Sequence, residues 1–541
     1  MSLSSMLPMP FKSVWPVWRS LLALFAGSLL LPAGGLFAQS QARRRVPGDA
    51  ATAQSLKFAE IYQDLQQNYM DRPDPDRLIL EGAVRGMLSS LDPFSSFFDR
   101  GQFDQLQQQT RGEAVGFGSI LYVQTGKVTV IQAQQGSPSW RAGLGPGDQI
   151  MSVNGVALDS LDFNGLIHTL QQARSHPATL SVMRPGESSP VMVHLRPAEV
   201  ALPTVDVAFL YSGGIAYLHI DSFESKTPQE VIDALKKLGY PNLEGIILDL
   251  RNNPGGLLAA AVGVSSLFMD PGTPVLTVRG RTVKETTYRC VAAPIEVSLP
   301  LIVLVNGNTA SAAEVVTSAL QDHDRALVAG EQTFGKGVVE SVMPLSDQTA
   351  VALLTSAYFT PSGRSIQKPL PGTALANPIQ GIEAGSEDSH SSFHTADGRP
   401  LSAHGGITPD VLAAAPKPDE WMEFLDQRGT FSQFASEYVT YHGTIAKTFE
   451  PSDEMLEEFR NFLTAQRIKS PDEYWSKDQP LLKQKLKAAV FDLVFGLDFS
   501  NQAAALSDPQ VQKAASLFPR LPGLLKGPAK LPPQLVRNES R

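Results

Sequence analysis

The sequence predicts a multidomain α/β protein with helical segments at both ends, on three observations. A chain of 541 residues is too long for one ordinary core and calls for several domains of roughly 100–200 residues each. Apolar runs at 214–220, 245–250, 274–278, 301–305 and 326–330 alternate with helical patterns, the order of an α/β layer structure. Ahead of them lie short β-forming runs broken by glycine and proline, and beyond residue 420 the pattern is mostly amphipathic helix. A hydrophobic content of 43% with 18% charged residues supports packed domains over disorder. The net charge of −9 excludes a binder of nucleic-acid phosphates, which needs clustered Lys and Arg.

Taken in order, Lys12 and Arg19 precede the apolar stretch 21–31, and small residues follow at 32–38. That arrangement reads as a secretory signal over 1–38, cut after Ala38, so the protein is expected outside the cytoplasm, periplasmic or otherwise extracytoplasmic. Left uncut, 15–37 would serve as a tilted membrane anchor. Cys290 is the only cysteine, so there is no internal disulfide, and no lipid-attachment cysteine follows the signal. Residues 39–53 read as a linker. Residues 54–111 read as a helical region, with Leu56, Ile61, Leu65 and Tyr69 on one face and a second helix over 78–91 broken by Asp92-Pro93. Residues 112–198 hold strands at 119–124, 127–132, 149–153, 178–184 and 191–195 with one helix at 163–174. The α/β core spans 199–415, with a polar excursion at 371–406. Residues 416–541 form a helical domain with a flexible tail, whose Phe424, Leu425, Phe431, Phe434 and Tyr438 suit either a core stripe or a dimer face.

Chemistry concentrates where the run LIVLV (301–305) opens into Asn306-Gly307-Asn308-Thr309-Ala310-Ser311 and a helix follows. A serine at that turn has its hydroxyl at the mouth of the sheet and neighbouring N–H groups at the positive end of a helix, where an oxyanion is favoured. Alone, Ser311-Ala-Ala-Glu314 reads as a helix capping box. Lys336, flanked by Gly335 and Gly337, follows the next strand. A free lysine titrates near 10.4, so service as a base asks burial to lower it by ~3 units, about 4 kcal/mol. So lowered, it can deprotonate a serine. A phosphate loop is excluded, because G-x-x-x-x-G-K-[ST] is absent.

Several blocks, in order, resemble the carboxyl-terminal processing peptidases, also called tail-specific proteases: GSPSWRAGLGPGDQIMSVNG (136–155), LDLRNNPGG (248–256), NGNTASAAE (306–314), ALQDHDRALVAGEQTFGKGVVE (319–340), LLTSAYFTPSGRSIQ (353–367) and GGITPD (405–410). The resemblance implies a crotonase-like protease core preceded by a PDZ domain. It implies Ser311 as nucleophile, Lys336 as general base, and oxyanion donors from the N–H groups of Ala312 and of Gly256 within Asn253-Pro254-Gly255-Gly256. Without its companions that last turn is an ordinary strand-ending loop. Where the family carries a glutamine four residues beyond the lysine, this chain has Glu340, a carboxylate that would hold the lysine as ammonium unless protonated or turned away.

Gly116-Phe117-Gly118 resembles the carboxylate-binding loop of a PDZ domain, and the pattern Ala142-Gly143-Leu144, Pro146-Gly147-Asp148, Val153-Asn154-Gly155 strengthens that likeness. Related PDZ domains turn an arginine at the position of Arg184 toward the protease core; a solvated arginine fits the residues equally. His323, His404 and Asp410 lack metal-ligand spacing and read as surface or packing residues, so neither metal nor cofactor is expected. The expected partners are exported proteins with accessible, partly apolar C-terminal tails, with an adaptor and a homo-oligomer also open. Two other readings stand beside the protease: a catalytically silent PDZ scaffold, and an acyl-CoA enzyme on the shared fold.

Overall fold

The computed structural model describes residues 48–525 except 76, 111–112, 202, 294, 296, 346, 371–392, 403–404 and 416–417. The expected signal, most of the polar excursion, His404 and the C-terminal tail therefore lie outside the described residues. Helix α1 (Gly48–Asn68) starts earlier than the periodicity predicts, inside the expected linker, because Ala50, Ala51 and Ala53 are strong helix formers. A π-helical stretch (Arg77–Val84) runs into α2 (Arg85–Ser89). The chain then turns at Asp92, whose Oδ1 accepts the N–H groups of Phe94 and Ser95. Strand β1 (Ser96–Phe98) and α3 (Arg100–Thr110) follow.

The next unit is an antiparallel sheet of β3 (Ser119–Gln124), β4 (Lys127–Ala133), β5 (Gln149–Val153), β7 (Ala178–Met183) and β8 (Val191–Leu195), in that order, with β6 (Val156–Ala157) on β5. β2 (Glu113–Gly116) and β9 (Ala198–Ala201) pair at its entry and exit. Helix α4 (Pro138–Arg141) is short; α5 (Phe163–Arg174) is capped by Asp162, which accepts the Gly165 N–H. Alternation along β7 buries Leu180 and Val182 against Val128, Val130 and Leu166.

A six-stranded sheet forms the centre: β10 (Val205–Tyr211), β11 (Ile215–Ile220), β12 (Gly245–Asp249), β15 (Leu301–Val305), β16 (Leu327–Gly330) and β21 (Val411–Leu412), parallel except for β10. Its inner strands β11, β12, β15 and β16 are mostly apolar because both faces are covered, with His219 and Asp249 near the ends of β11 and β12. On one face Leu218, Ile246 and Leu248 pack with helices α6 (Thr227–Lys237), α7 (Leu258–Phe268) and α8 (Ala312–Asp322). Those helices also touch a second sheet, in which β1, β18 (Ala350–Phe359), β13 (Pro274–Arg279) and β14 (Thr286–Arg289) pair in order and β17 (Val338–Pro344) joins β18. Two short strands, β19 (Phe393–His394) and β20 (Pro400–Leu401), form a separate ribbon.

The remaining chain is helical: α9 (Glu420–Gln427), α10 (Thr430–His442), α11 (Asp453–Ala465), α12 (Asp472–Phe495), α13 (Leu497–Ser507), α14 (Pro509–Leu517) and α15 (Leu521–Leu525). Leu425, Phe431 and Phe434 are buried with Phe459, Trp475 and Phe491, so this stripe is core, whereas Phe424 is exposed. Ile131 of β4 joins that cluster, and Val511, Ala514 and Leu517 cover the other face of the six-stranded sheet against Ile247, Ile302 and Leu304. The C-terminal helices thus hold both the small β module and the central sheet.

Candidate active site

β15 is buried along its whole length and ends in a turn locked by its own polar side chains. Thr309 Oγ1 accepts the Asn306 N–H at 2.9 Å and donates to the Leu250 carbonyl at 2.8 Å, and the Ala310 N–H donates to the Asn253 carbonyl at 2.9 Å. At the end of this turn Ser311 has φ 54° and ψ −118°, a conformation that costs a non-glycine residue ~1–3 kcal/mol and must be held by its surroundings. The hold comes from Glu314, whose Oε2 accepts the Ser311 N–H at 2.9 Å. That is the Glu half of the capping pattern.

Glu314 reaches further than a cap. Its Oε1 accepts the Thr333 hydroxyl at 2.5 Å and the Gly335 N–H at 2.8 Å, and its Oε2 also accepts the Lys336 N–H at 2.9 Å. The side chain is fully buried; burial pushes its carboxyl above the usual range while these donors pull it down. With all four acceptor positions facing donors, the carboxylate form fits the site. One carboxylate oxygen therefore lies between the amides of Ser311 and Lys336. Tyr358 makes a second tie: its hydroxyl reaches the carbonyls of Lys336 at 2.8 Å and Ser311 at 3.3 Å, and burial raises its phenol well above the ordinary value.

Lys336 is 4% exposed. Its Nζ donates to Glu340 Oε2 at 3.1 Å and sits 4.8 Å from the centre of the Phe94 ring, a cation–π contact. Among the described residues no hydrogen bond joins this amine to the Ser311 hydroxyl. Glu340 lies on β17 beside a register shift at Val339, and its Oε1 is buried without a partner. Burial pushes the Glu340 carboxyl up, the Lys336 charge pulls it down, and Asp92 adds to the rise.

The loop after β12 faces the same turn. Asn253 Oδ1 takes the Gly255 N–H at 2.8 Å, while the amides of Gly256 and Ala312 have no acceptor among the described residues. Gly255 must be glycine for two reasons: φ is 107°, and a Cβ would lie 2.8 Å from that of Ser311. A cleft is lined by Gly256, Ser311 and Ala312, with Leu258, Val315, Val338, Val339 and Tyr358 as its apolar wall. Lys336 is not part of that lining.

In the β module, Gly116 ends β2, Phe117 O accepts the Ser139 N–H, and Gly118 has φ 73° at the start of β3. β3 is an edge strand, paired to β4 alone. Arg184 donates to the Gly143 carbonyl at 3.3 Å and its Nε is buried without a partner, so its hydrogen bond stays within the module. His323 Nε2 bonds the Pro274 carbonyl, and Asp410 accepts from Arg399, Gln321 and Val328, all ties within the core. Sequence reasoning missed three neighbours of the site. From sequence Glu314 reads only as a cap, Phe94 only as a residue beyond the Asp92-Pro93 helix break, and Tyr358 only as part of a family block.

A PDZ module attached to a layered α/β core with a serine turn defines a class, the serine peptidases that carry their own peptide-binding domain. Residues 214–374 match peptidase family S41, 129–184 match a PDZ domain, and 33–102 match the activating protease CtpB N-terminal domain. The carboxy-terminal-processing protease of Bartonella bacilliformis is 34% identical over 373 residues, 68% of this chain and 77% of that protein. The carboxyl-terminal-processing protease of Synechocystis sp. is 31% identical over 66% of this chain and 86% of its own length. Among solved structures, a photosystem II D1 C-terminal processing protease is similar at 27% identity and TM-score 0.35, covering 66% of this chain and 86% of its own. The chain belongs to the carboxy-terminal processing peptidases of family S41 and is a serine-type protease acting on protein substrates.

Proposed function

We propose that this protease cleaves exported proteins by a serine–lysine mechanism after its PDZ module takes hold of their C-terminal tails. Ser311 Oγ attacks the scissile carbonyl carbon and passes its proton to Lys336 Nζ. The N–H groups of Gly256 and Ala312 donate to the oxyanion. Lys336 then protonates the leaving amine as the C–N bond breaks, and water hydrolyses the acyl-enzyme. The observation that carries this reading is the single Glu314 oxygen accepting both the Ser311 and Lys336 amides. It sets the two backbones close enough for a lysine side chain to reach the hydroxyl by turning about its own bonds. The unpaired Gly256 amide, beside an occupied one at Gly255, favours Gly256 as the second donor.

The Lys336–Glu340 contact belongs to a resting arrangement, in which the amine must leave Glu340 and Phe94 to serve Ser311. It also supports the rival reading of a silent scaffold. For the tail, Gly116, Phe117 and Gly118 would offer amides to the carboxylate and the free edge of β3 would pair with the peptide, with Arg184, bonded to Gly143, as a further contact. Export through the signal at 1–38, and the division at 54–111, 112–198, 199–415 and 416–541, complete the reading. No helix among the described residues is long and apolar enough to cross a membrane. The test uses purified protein with a substrate ending in an apolar tail. Wild type should cleave it, and Ser311→Ala and Lys336→Ala should lose activity by about 10³-fold or more. Cleavage that survives Ser311→Ala would overturn the assignment, and an inactive wild type would favour the scaffold.

A further inference from the structure

Building on the serine–lysine reading, we propose that Asp508 and Gln510 of the C-terminal helices are positioning residues for the oxyanion loop 252–256. The loop leaves β12 at Arg251, two residues before Asn253. Its guanidinium is divided. Nε and Nη2 bond Asp249 below, and Nη1 bonds Asp508 Oδ2 at 2.7 Å and Gln510 Oε1 at 2.6 Å. The Arg251 side chain is 12% exposed. His219 Nε2 donates to the Arg251 carbonyl at 3.1 Å.

Downstream, every residue before the proline is tied as well. Asn252, with φ 61°, exchanges hydrogen bonds with Asn306 and accepts from Asn308, and Asn253 Nδ2 donates to the Ile220 carbonyl at 2.7 Å. Gly255 is tied too, its N–H to Asn253 Oδ1 and its carbonyl to the Phe223 N–H, both at 2.8 Å, while Gly256, bridged to Phe223 from both sides, adopts φ 139°, which glycine alone takes readily. The placement of Gly256 is therefore set from both sides, by Phe223 on one and by the anchors of residues 251–253 on the other. Of those anchors, only Asp508 and Gln510 come from outside the central sheet and its turns.

The same carboxylate has two tasks. Asp508 Oδ1 caps α14 by accepting the N–H groups of Gln510 and Val511, and Oδ2 holds Arg251. Gln510 Nε2 in turn donates to the Ala413 carbonyl just beyond β21. Removing Asp508 leaves Arg251 Nη1 leaning on Gln510 alone and lets the guanidinium pivot on Asp249. A displacement near 1 Å at an oxyanion donor is enough to change the rate by up to ~100-fold.

The experiment compares Asp508→Ala, Gln510→Ala, Asp508→Asn and Val511→Ala in the full chain, reading kcat and KM together with amide hydrogen exchange over 250–258. Asp508→Ala should lower kcat about tenfold with KM within about twofold, and should speed exchange across the loop. Gln510→Ala should do the same to a smaller extent. Asp508→Asn, which still offers an acceptor to Arg251, should restore most of kcat. Val511→Ala loosens α14 without touching Arg251 and should leave kcat and loop exchange unchanged. Unchanged kcat and exchange in folded Asp508→Ala would overturn the proposal, as would an equal loss in Val511→Ala at equal Tm. Loop exchange is read without catalysis, so a wild type lacking Ser311-dependent cleavage would sink the serine–lysine reading while this arm still decides the loop's anchor.

Discussion

Glu340, hydrogen-bonded to Lys336 Nζ, bears on the pH dependence expected of the proposed serine–lysine mechanism. A buried carboxylate costs free energy to ionise, and burial does push this one up, but the ammonium 3.1 Å away pulls it back. In the serine–lysine mechanism proposed above Lys336 works as the free base, and a charged Glu340 beside it opposes that form. Glutamine has the same reach and no charge. The sign follows: Glu340→Gln should move the acid limb of the kcat/KM profile to lower pH, by about 1–2 units for one near charge in a buried site. Identical limbs in the two enzymes would show that Glu340 has turned away or carries a proton in the working state. The orphaned Oε1 is where such a proton, or a water molecule, would be accommodated.

At the scale of elements, the strand–turn–helix unit β15–α8 and the loop after β16 behave as one piece because Glu314 is hydrogen-bonded into both. Glu314→Gln puts an NH₂ group where two of four donors now point, leaving buried N–H groups unpaired at about 1–3 kcal/mol each. The expected result is a Tm lowered by several degrees and a kcat down at least tenfold, with KM within about threefold because the apolar wall is untouched. Wild-type kcat in a stably folded variant would show that the two backbones hold their places without it. The unit itself was legible from sequence, since five apolar residues, a polar turn and S-x-x-E form a local pattern. The α/β alternation of the core was legible for the same reason. What reaches across the chain was not. Phe94 meets Lys336 only because β1 pairs with β18, register by register from Ser96 to Phe98, and no local periodicity encodes that pairing. The ammonium's seat at Glu340 depends likewise on β17 turning at its register shift.

Across the whole molecule, the C-terminal helices connect the PDZ module to the catalytic core, and α13 runs from a contact with the one to a contact with the other. At its start, Gln132 of β4 donates to Asp498 Oδ1 and accepts the Leu497 N–H, both at 3.0 Å. At its end Asp508 holds Arg251. Eleven helical residues make a stiff rod of about 16 Å. β4 is the sole partner of β3, the edge strand proposed to take the substrate tail, so a shift of that strand pair on binding bears directly on the rod. Spatial connection alone does not establish coupling, and the coupling has to appear as a free energy shared by two sites. A free apolar-tailed peptide should therefore change kcat on an untailed reporter by about fivefold in wild type, and by less than twofold in Gln132→Ala, with the peptide's own affinity altered little. The double variant Gln132→Ala, Asp508→Ala should show no further loss of that response beyond either single change, the non-additivity expected of two ends of one rod. A full response in Gln132→Ala would move the connection between module and core to their other contacts, the buried Ile131 and the Lys127–Ser436 hydrogen bond among them.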